Sequence, residues 1–167
     1  MQPSNIIVIL SGKGGCGKTT TCLGVARALT DMGRSTAILD LDLENPSIGI
    51  VCGFTRDSLS FGEQYMIPPK WEGIPIMSLS ILPGVEYSNT PTTVDEERKH
   101  EMIRQLFYEV DWGDTEILLI DMPPGSGEEV RGLLQLDPKA TLIVTTPQRI
   151  SESAVSRVIL MARDYVI

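Results

Sequence analysis

The fold of this chain is decided by Ser11-Gly12-Lys13-Gly14-Gly15-Cys16-Gly17-Lys18-Thr19-Thr20. An apolar run, Ile6-Ile7-Val8-Ile9-Leu10, precedes this stretch and predicts a fully buried parallel strand. A segment rich in helix-forming residues follows it, from Thr21 to about Met32. A strand, a glycine-rich turn and a helix in this order are the context of a phosphate-binding loop.

The residue types in this loop match the chemistry of phosphate binding. Gly12, Gly15 and Gly17 allow the backbone to turn tightly and to present N–H groups to phosphate oxygens. Lys18 is expected to reach the β- and γ-phosphates, and the Thr19 hydroxyl is expected to ligate Mg²⁺. Because Gly12 is followed by four residues and then by Gly-Lys-Thr, the motif is complete and predicts a nucleotide-binding protein.

Length, charge and cysteine content limit the other classes of function. A chain of 167 residues suits a single domain, expected over 1–167. Its net charge of −8 argues against nucleic acid or an anionic membrane as partner. No apolar run is long enough to span a bilayer, and Met1-Gln2-Pro3-Ser4 does not begin a signal peptide. Three irregularly spaced cysteines argue against a disulfide framework, so a reducing cytoplasm is the expected location.

Two further apolar runs end in aspartate. The run Thr36-Ala37-Ile38-Leu39 leads into Asp40-Leu41-Asp42, and the run Ile117-Leu118-Leu119-Ile120 leads into Asp121. Ligands of α/β sheets bind at the carboxyl ends of the strands, where Asp40 and Asp121 are expected to hold magnesium-bound water. A carboxylate pair that simply meets solvent is the alternative for Asp40 and Asp42. After Asp121, the backbone N–H of Gly125 is expected to meet the γ-phosphate.

Together with the rest of the sequence, these features predict a three-layer α/β P-loop NTPase fold, with a mostly parallel sheet flanked by helices. It predicts strands over 74–79 and 140–145, helices over 94–110 and from Ser151 onward, and loops in the rest of 53–92. The residues expected to contact the nucleotide are Gly12, Lys13, Gly14, Gly15, Cys16, Gly17, Lys18, Thr19, Thr20 and Gly125.

The second lysine of the loop carries a resemblance to a superfamily. With Lys13 directly after Gly12, the loop resembles that of the deviant Walker A ATPases, which include MinD, ParA, the nitrogenase iron protein and the Mrp-type carriers. The resemblance implies a nucleotide-sandwich dimer in which Lys13 reaches the partner's nucleotide, and it implies that Asp42 orients the attacking water. The implied catalytic residues are Lys13, Lys18 and Asp42. A solvated loop lysine is the alternative for Lys13.

Three further strings resemble the Mrp family of iron–sulfur carriers. They are Asp-x-Asp-x-x-x-Pro-Ser at 40–47, Asp-x-Pro-Pro-Gly-x-Gly at 121–127 and Val-Thr-Thr-Pro-Gln at 144–148. The resemblance implies slow ATP hydrolysis with Mg²⁺, a homodimer or a hetero-oligomer with a related ATPase, and transfer of iron–sulfur clusters to apoprotein clients. Asn89-Thr90-Pro91-Thr92 departs from the family, which has a Trp-Arg-Gly-Pro segment in this region.

The cluster ligands of that family have no counterpart in this sequence. Mrp proteins continue beyond the position of Val166-Ile167 with another strand and a Cys-x-x-Cys pair, so the chain is expected to lack its C-terminal strands and this segment. Because Cys16, Cys22 and Cys52 form no close pair, they are expected to be buried or half-buried thiols, and a cluster would need other cysteines. Two alternatives remain: a MinD/ParA-like positioning or partitioning ATPase, and a cysteine-free regulatory ATPase partner.

Overall fold

The computed structural model describes residues 2–42, 46–83, 96–125, 130 and 137–163. The strands are β1 (Asn5–Ser11), β2 (Thr36–Asp40), β3 (Ser60–Phe61), β4 (Met66–Ile67), β5 (Lys70–Trp71), β6 (Ile74–Ser78), β7 (Ile117–Asp121) and β8 (Ala140–Val144). The helices are α1 (Lys18–Asp31), α2 (Ile48–Val51), α3 (Glu96–Tyr108) and α4 (Arg149–Arg163). Two short 3₁₀ turns cover Arg56–Ser58 and Leu79–Ile81.

The strands of the main sheet lie in the order β5-β6-β2-β7-β1-β8. All neighbouring pairs are parallel except β5 and β6, which are antiparallel. A separate antiparallel pair is formed by β3 and β4. The mostly parallel sheet and the apolar strands β1, β2, β6, β7 and β8 confirm the predicted fold class.

Side chains alternate between the two faces of the central strands, and both faces are covered. On one face, Val8, Leu10 and Leu118 belong to a buried cluster that includes residues of α3 and α4. On the other face, Ile9 and Leu119 pack in a cluster that includes the inner face of α1. Since both faces of a parallel sheet are buried, its strands are continuously apolar, which is why the sequence predicted them.

The register of the strands brings Asp40, Asp121 and the glycine-rich loop together at the carboxyl end of the sheet. Asp40 at the end of β2 lies opposite Asp121 at the end of β7, and Asp121 in turn lies opposite Ile9 of β1. Two residues after Ile9, β1 ends at Ser11 and enters the glycine-rich loop. Parallel strands therefore place both aspartates beside the predicted phosphate-binding loop.

Several boundaries differ from the predictions. Helix α1 begins at Lys18 rather than Thr21, because the Thr21 N–H already donates to the Gly17 carbonyl and closes the first turn. The helix is followed by Gly33 in a left-handed conformation, which is common directly after a helix. Helix α4 begins at Arg149, before Ser151. The strands β3, β4 and β5 lie in a region predicted as loops, because two-residue strands are too short to show an alternating pattern.

The helix predicted over 94–110 is observed as α3, and the first two predicted residues fall outside the described part of the chain. The departure from the Mrp pattern at 89–92 also lies outside the described residues. Among the described helices, none is long and apolar enough to cross a membrane.

Substitution of a core leucine tests the packing of the central sheet. Leu119→Ala is expected to lower the free energy of unfolding by about 2–5 kcal/mol, because Leu119 is fully buried on the central strand β7. The control is Leu142→Ala on the edge strand β8, where the side chain is 36% exposed and the expected loss is about 1 kcal/mol or less. Urea unfolding measures both values, and equal losses would contradict the assignment of β7 to the centre and β8 to the edge.

Candidate nucleotide-binding site

The glycine-rich loop turns from β1 into α1 through left-handed backbone. Gly17 has φ 91° and directly precedes α1, and Gly15 has φ 72°. A residue with a Cβ is disfavoured in this conformation by about 1–2 kcal/mol. Gly12 is restricted for another reason, because a Cβ there would lie 2.8 Å from the carbonyl carbon of Ala154 in α4. The loop is thus held between the sheet and the last helix.

Lys18 and Thr19 share the carboxylate of Asp121. The Lys18 Nζ donates to Asp121 Oδ1 at 2.5 Å, and the Thr19 hydroxyl donates to Asp121 Oδ2 at 2.8 Å. The side chains of Lys18 and Asp121 are only 8% and 1% exposed. Burial raises the pKa of Asp121, while Lys18 and Thr19 oppose this shift. The three residues predicted for phosphate and magnesium chemistry therefore meet in one buried cluster.

Asp40 is fully buried beside this cluster and is satisfied by the protein. Its carboxylate accepts hydrogen bonds from the backbone N–H of Asp42 at 3.2 Å, the backbone N–H of Ile48 at 3.1 Å and the Ser78 hydroxyl at 2.9 Å. Burial and the charge of Asp121 raise the pKa of Asp40 to about 7, and these hydrogen bonds oppose the shift. The solvent-facing alternative is wrong for Asp40, and its role toward a magnesium-bound water stays a prediction.

Asp42 and Lys13 lie at the outer side of the site. Asp42 is half-buried, and its charge contributes to the raised pKa of Asp121. The half-buried Lys13 donates from Nζ to Gln148 Oε1 at 2.5 Å. The contact with Gln148, which lies 135 residues away in sequence, is exposed and is therefore compatible with a solvated loop lysine. The expected contact of Lys13 with a second subunit stays a prediction.

The other predicted nucleotide contacts surround the loop. Gly125 donates its backbone N–H to the carbonyl of Ser11 at 2.8 Å, so its predicted contact with a γ-phosphate would require this bond to open. Gly14 and Thr20 are exposed, whereas Cys16 is half-buried with its Sγ 3.4 Å from the Lys13 carbonyl oxygen. Cys22 is buried and Cys52 is half-buried, which confirms the prediction for the thiols.

Three residues of the site were not predicted as functional. Ser47 lies with its Oγ 3.3 Å from Thr19 Oγ1, Ser78 donates to Asp40, and Gln148 accepts from Lys13. Ser47 and Gln148 belong to strings that resemble the Mrp family, and this was the only sequence signal for them. Ser78 ends β6, which lies beside β2, so only the strand order could have paired it with Asp40.

The donor atoms of the site fit a magnesium ion. Mg²⁺ binds oxygen ligands and is usually held by one or two carboxylates together with substrate phosphates. The Thr19 hydroxyl and the Asp121 carboxylate provide such oxygens next to the loop. In the described part of the chain, no three His, Cys, Asp or Glu residues converge into a metal site formed by the protein alone. The arrangement therefore suits a cation that arrives with a nucleotide.

Known proteins are similar to this chain in sequence. The iron–sulfur cluster carrier protein of Methanocaldococcus jannaschii is 37% identical over 160 residues, which are 94% of this chain and 54% of that protein. The cytosolic Fe-S cluster assembly factor nubp2 of Xenopus tropicalis is 34% identical, over 92% of this chain and 58% of that protein. The chain thus spans somewhat more than half the length of these curated relatives.

A solved structure extends the comparison to three dimensions. The nucleotide-binding protein of Archaeoglobus fulgidus, solved in complex with ADP, matches with a TM-score of 0.80 and 30% sequence identity, over 96% of this chain and 62% of that one. The ParA family model, described as NUBPL iron-transfer P-loop NTPase, matches residues 2–167. Since this match runs through nearly the whole sequence, the chain belongs to the family of NUBPL iron-transfer P-loop NTPases.

Proposed function

We propose that the protein binds and slowly hydrolyses ATP with Mg²⁺ as a dimer, and that it acts in the assembly of iron–sulfur clusters and their transfer to apoproteins. The observation that carries the ATPase part is the buried cluster of Lys18, Thr19 and Asp121 below the glycine-rich loop. Membership in a family of iron-transfer NTPases supports the iron–sulfur part.

Phosphate binding is assigned to the loop and to Lys18. The backbone N–H groups of residues 12–20 surround the phosphates in this proposal, and Lys18 leaves Asp121 to contact the β- and γ-phosphates. The pairing with Asp121 supports this exchange, because it gives the buried Lys18 side chain a carboxylate partner without a nucleotide. Bound Mg²⁺ would offset phosphate charge, and Thr19, Asp40 and Asp121 are the residues assigned to it or to its water molecules.

Hydrolysis is assigned to Asp42 and Lys13. Asp42 follows β2 at the carboxyl edge of the sheet, where it can orient a water molecule toward the terminal phosphate. Lys13 is proposed to leave Gln148 and to place its ammonium on the nucleotide of the second subunit, where positive charge stabilises the transition state. Gly125 is proposed to exchange the Ser11 carbonyl for the γ-phosphate, so that its loop responds to the phosphate.

The iron–sulfur part of the proposal concerns partners and location. The partner is a second copy of this chain or a related ATPase, and the clients are apoproteins that receive the cluster. Cys16, Cys22 and Cys52 are not assigned as ligands, because Cys22 is buried and none of them forms a Cys-x-x-Cys pair. A cytoplasmic location is proposed from the description of the Xenopus relative as cytosolic.

Replacement of Lys18 tests whether Asp121 is its partner when no nucleotide is bound. In nucleotide-free protein with EDTA at pH 8, Lys18→Met is expected to lower the free energy of unfolding by about 3–5 kcal/mol, because Asp121 stays buried without its cation. Loss of the cation raises the pKa of Asp121 further above its value in the unfolded chain. Folding then takes up a proton at intermediate pH, so the loss of stability should be smaller at pH 5 than at pH 8.

The control is the double variant Lys18→Met/Asp121→Leu, in which both members of the buried ion pair are removed. Urea unfolding should show that this variant recovers much of the loss. A single variant as stable as the native protein at pH 8 would contradict the buried ion pair.

A lysine substitution tests action across the dimer. Lys13→Ala is expected to lower the ATP turnover of the dimer by about 1,000-fold or more, the order seen when a transition-state cation is removed from an NTPase. ATP affinity of the single subunit should change little, since the proposed contact lies on the partner's nucleotide. The matched control is Lys139→Ala, which removes an exposed lysine paired with Asp137. Equal turnover for Lys13→Ala and Lys139→Ala would refute the role of Lys13.

Anaerobic reconstitution tests the iron–sulfur part. The protein, expressed from its complete native reading frame, is supplied with iron and sulfide, and bound iron, bound sulfide and the visible spectrum are measured per dimer. Cluster binding is expected, and it should survive replacement of Cys16, Cys22 and Cys52 by alanine. Loss of the cluster in this triple variant would overturn the exclusion of these cysteines. A protein that hydrolyses ATP but holds no iron would overturn the carrier role and favour a positioning or regulatory ATPase.

A further inference from the structure

Ser47 stands directly before helix α2. A serine at this position of a helix ordinarily accepts a hydrogen bond from the second or third backbone N–H of the helix. Ser47 makes no such bond. Its Oγ instead lies 3.3 Å from Thr19 Oγ1, a residue 28 positions away on helix α1. The hydroxyl is therefore directed at the phosphate-binding loop rather than at its own helix.

Asp40 supports the start of α2, directly after Ser47. The Asp40 carboxylate accepts the backbone N–H of Ile48, the first residue of α2, and also accepts the Ser78 hydroxyl. Asp40 thus satisfies an N–H at the start of α2 from the end of β2. Since Asp40 is fully buried and has three donors, it fixes the position of α2 relative to the sheet.

Close packing beside α2 supports the same position. Gly49 approaches the 3₁₀ turn after β6 so closely that a Cβ there would lie 2.3 Å from Ser80 Oγ. Ser80 Oγ is 2.8 Å from Ser78 Oγ, which in turn donates to Asp40. The beginning of α2 is therefore held by this hydrogen-bonded network and by the close approach of Gly49 to the Ser80 side chain.

The spacing of the oxygen atoms matches the coordination shell of magnesium. Octahedral Mg²⁺ holds its ligands at about 2.1 Å, so adjacent ligand oxygens are about 3.0 Å apart. Thr19 Oγ1 lies 2.8 Å from Asp121 Oδ2 and 3.3 Å from Ser47 Oγ. Both separations are close to 3.0 Å, and all three atoms are oxygens, the ligand type that Mg²⁺ prefers.

We propose that Ser47 is a further residue of the magnesium site, where its hydroxyl oxygen joins that of Thr19 in the shell of the cation that accompanies the nucleotide. This inference rests on the proposed function, because the cation arrives with ATP. Asp40 and Ser78 act as positioning residues that hold Ser47 in place. Magnesium binding would then tie α2 to the phosphate-binding loop.

The test separates magnesium dependence from nucleotide affinity. In protein from the complete native reading frame, the dissociation constant of a non-hydrolysable ATP analogue is measured with Mg²⁺ and with EDTA. The factor by which Mg²⁺ tightens binding should fall by about 10-fold in Ser47→Ala, the lower end of the range for lost metal-site contacts. The affinity in EDTA should stay unchanged, because Ser47 makes no assigned contact with the phosphates.

Two further variants make the result decisive. Ser47→Thr keeps the hydroxyl and should retain the magnesium factor, which excludes a general effect of substitution next to α2. Ser60→Ala removes an exposed serine from β3 and should behave as the native protein. Ser47→Ala with the native magnesium factor would overturn the role of Ser47 while leaving the proposed function intact. Native protein that fails to bind the analogue with or without Mg²⁺ would instead overturn the proposed function itself.

Discussion

Two carboxylates buried side by side determine how the carboxyl end of the sheet is built. The parallel register of β2 and β7 places Asp40 opposite Asp121, and burial of both groups is costly unless each finds donors. Asp121 is satisfied by Lys18 and Thr19 of α1, whereas Asp40 is satisfied by Ser78 of β6 and by backbone N–H groups, including that of Ile48. The need to compensate two neighbouring charges therefore joins α1, α2 and β6 at one place.

The two carboxylates are compensated differently, and this difference separates their roles. Asp121 relies on a cation and a hydroxyl from the phosphate-binding loop, which are the groups that a nucleotide and its metal would engage. Among the described residues, the donors to Asp40 are all uncharged, and burial together with Asp121 raises its pKa to about 7. The Asp121 carboxylate is compensated by a lysine side chain and can therefore exchange partners. The Asp40 carboxylate is enclosed by neutral donors and therefore suits a structural role that holds its neighbours in place.

The sequence was sufficient for the central fold and for the loop, because these depend on local patterns. Apolar runs that end in Asp40 and Asp121 predicted buried strands, and the spacing of Gly12, Gly17 and Lys18 predicted the turn. The partners of Ser47, Lys13 and Asp40 could not be predicted, since they lie 28, 135 and 38 residues away on other elements. Such contacts follow from strand order and packing, which no local period encodes.

The thiols of the chain argue for a separation between nucleotide chemistry and cluster chemistry. A cysteine binds iron as the thiolate, so a raised thiol pKa weakens iron binding by making the loss of the proton more costly. Burial and the nearby Asp121 and Asp40 raise the pKa of Cys22 well above its usual value, and burial raises that of Cys52 to about 11. Cys16 lies within the phosphate-binding loop, where a cluster would compete with phosphate for the same space. Burial and the neighbouring carboxylates thus disfavour ionisation of the Cys22 thiol, which supports leaving it out of the proposed cluster ligands.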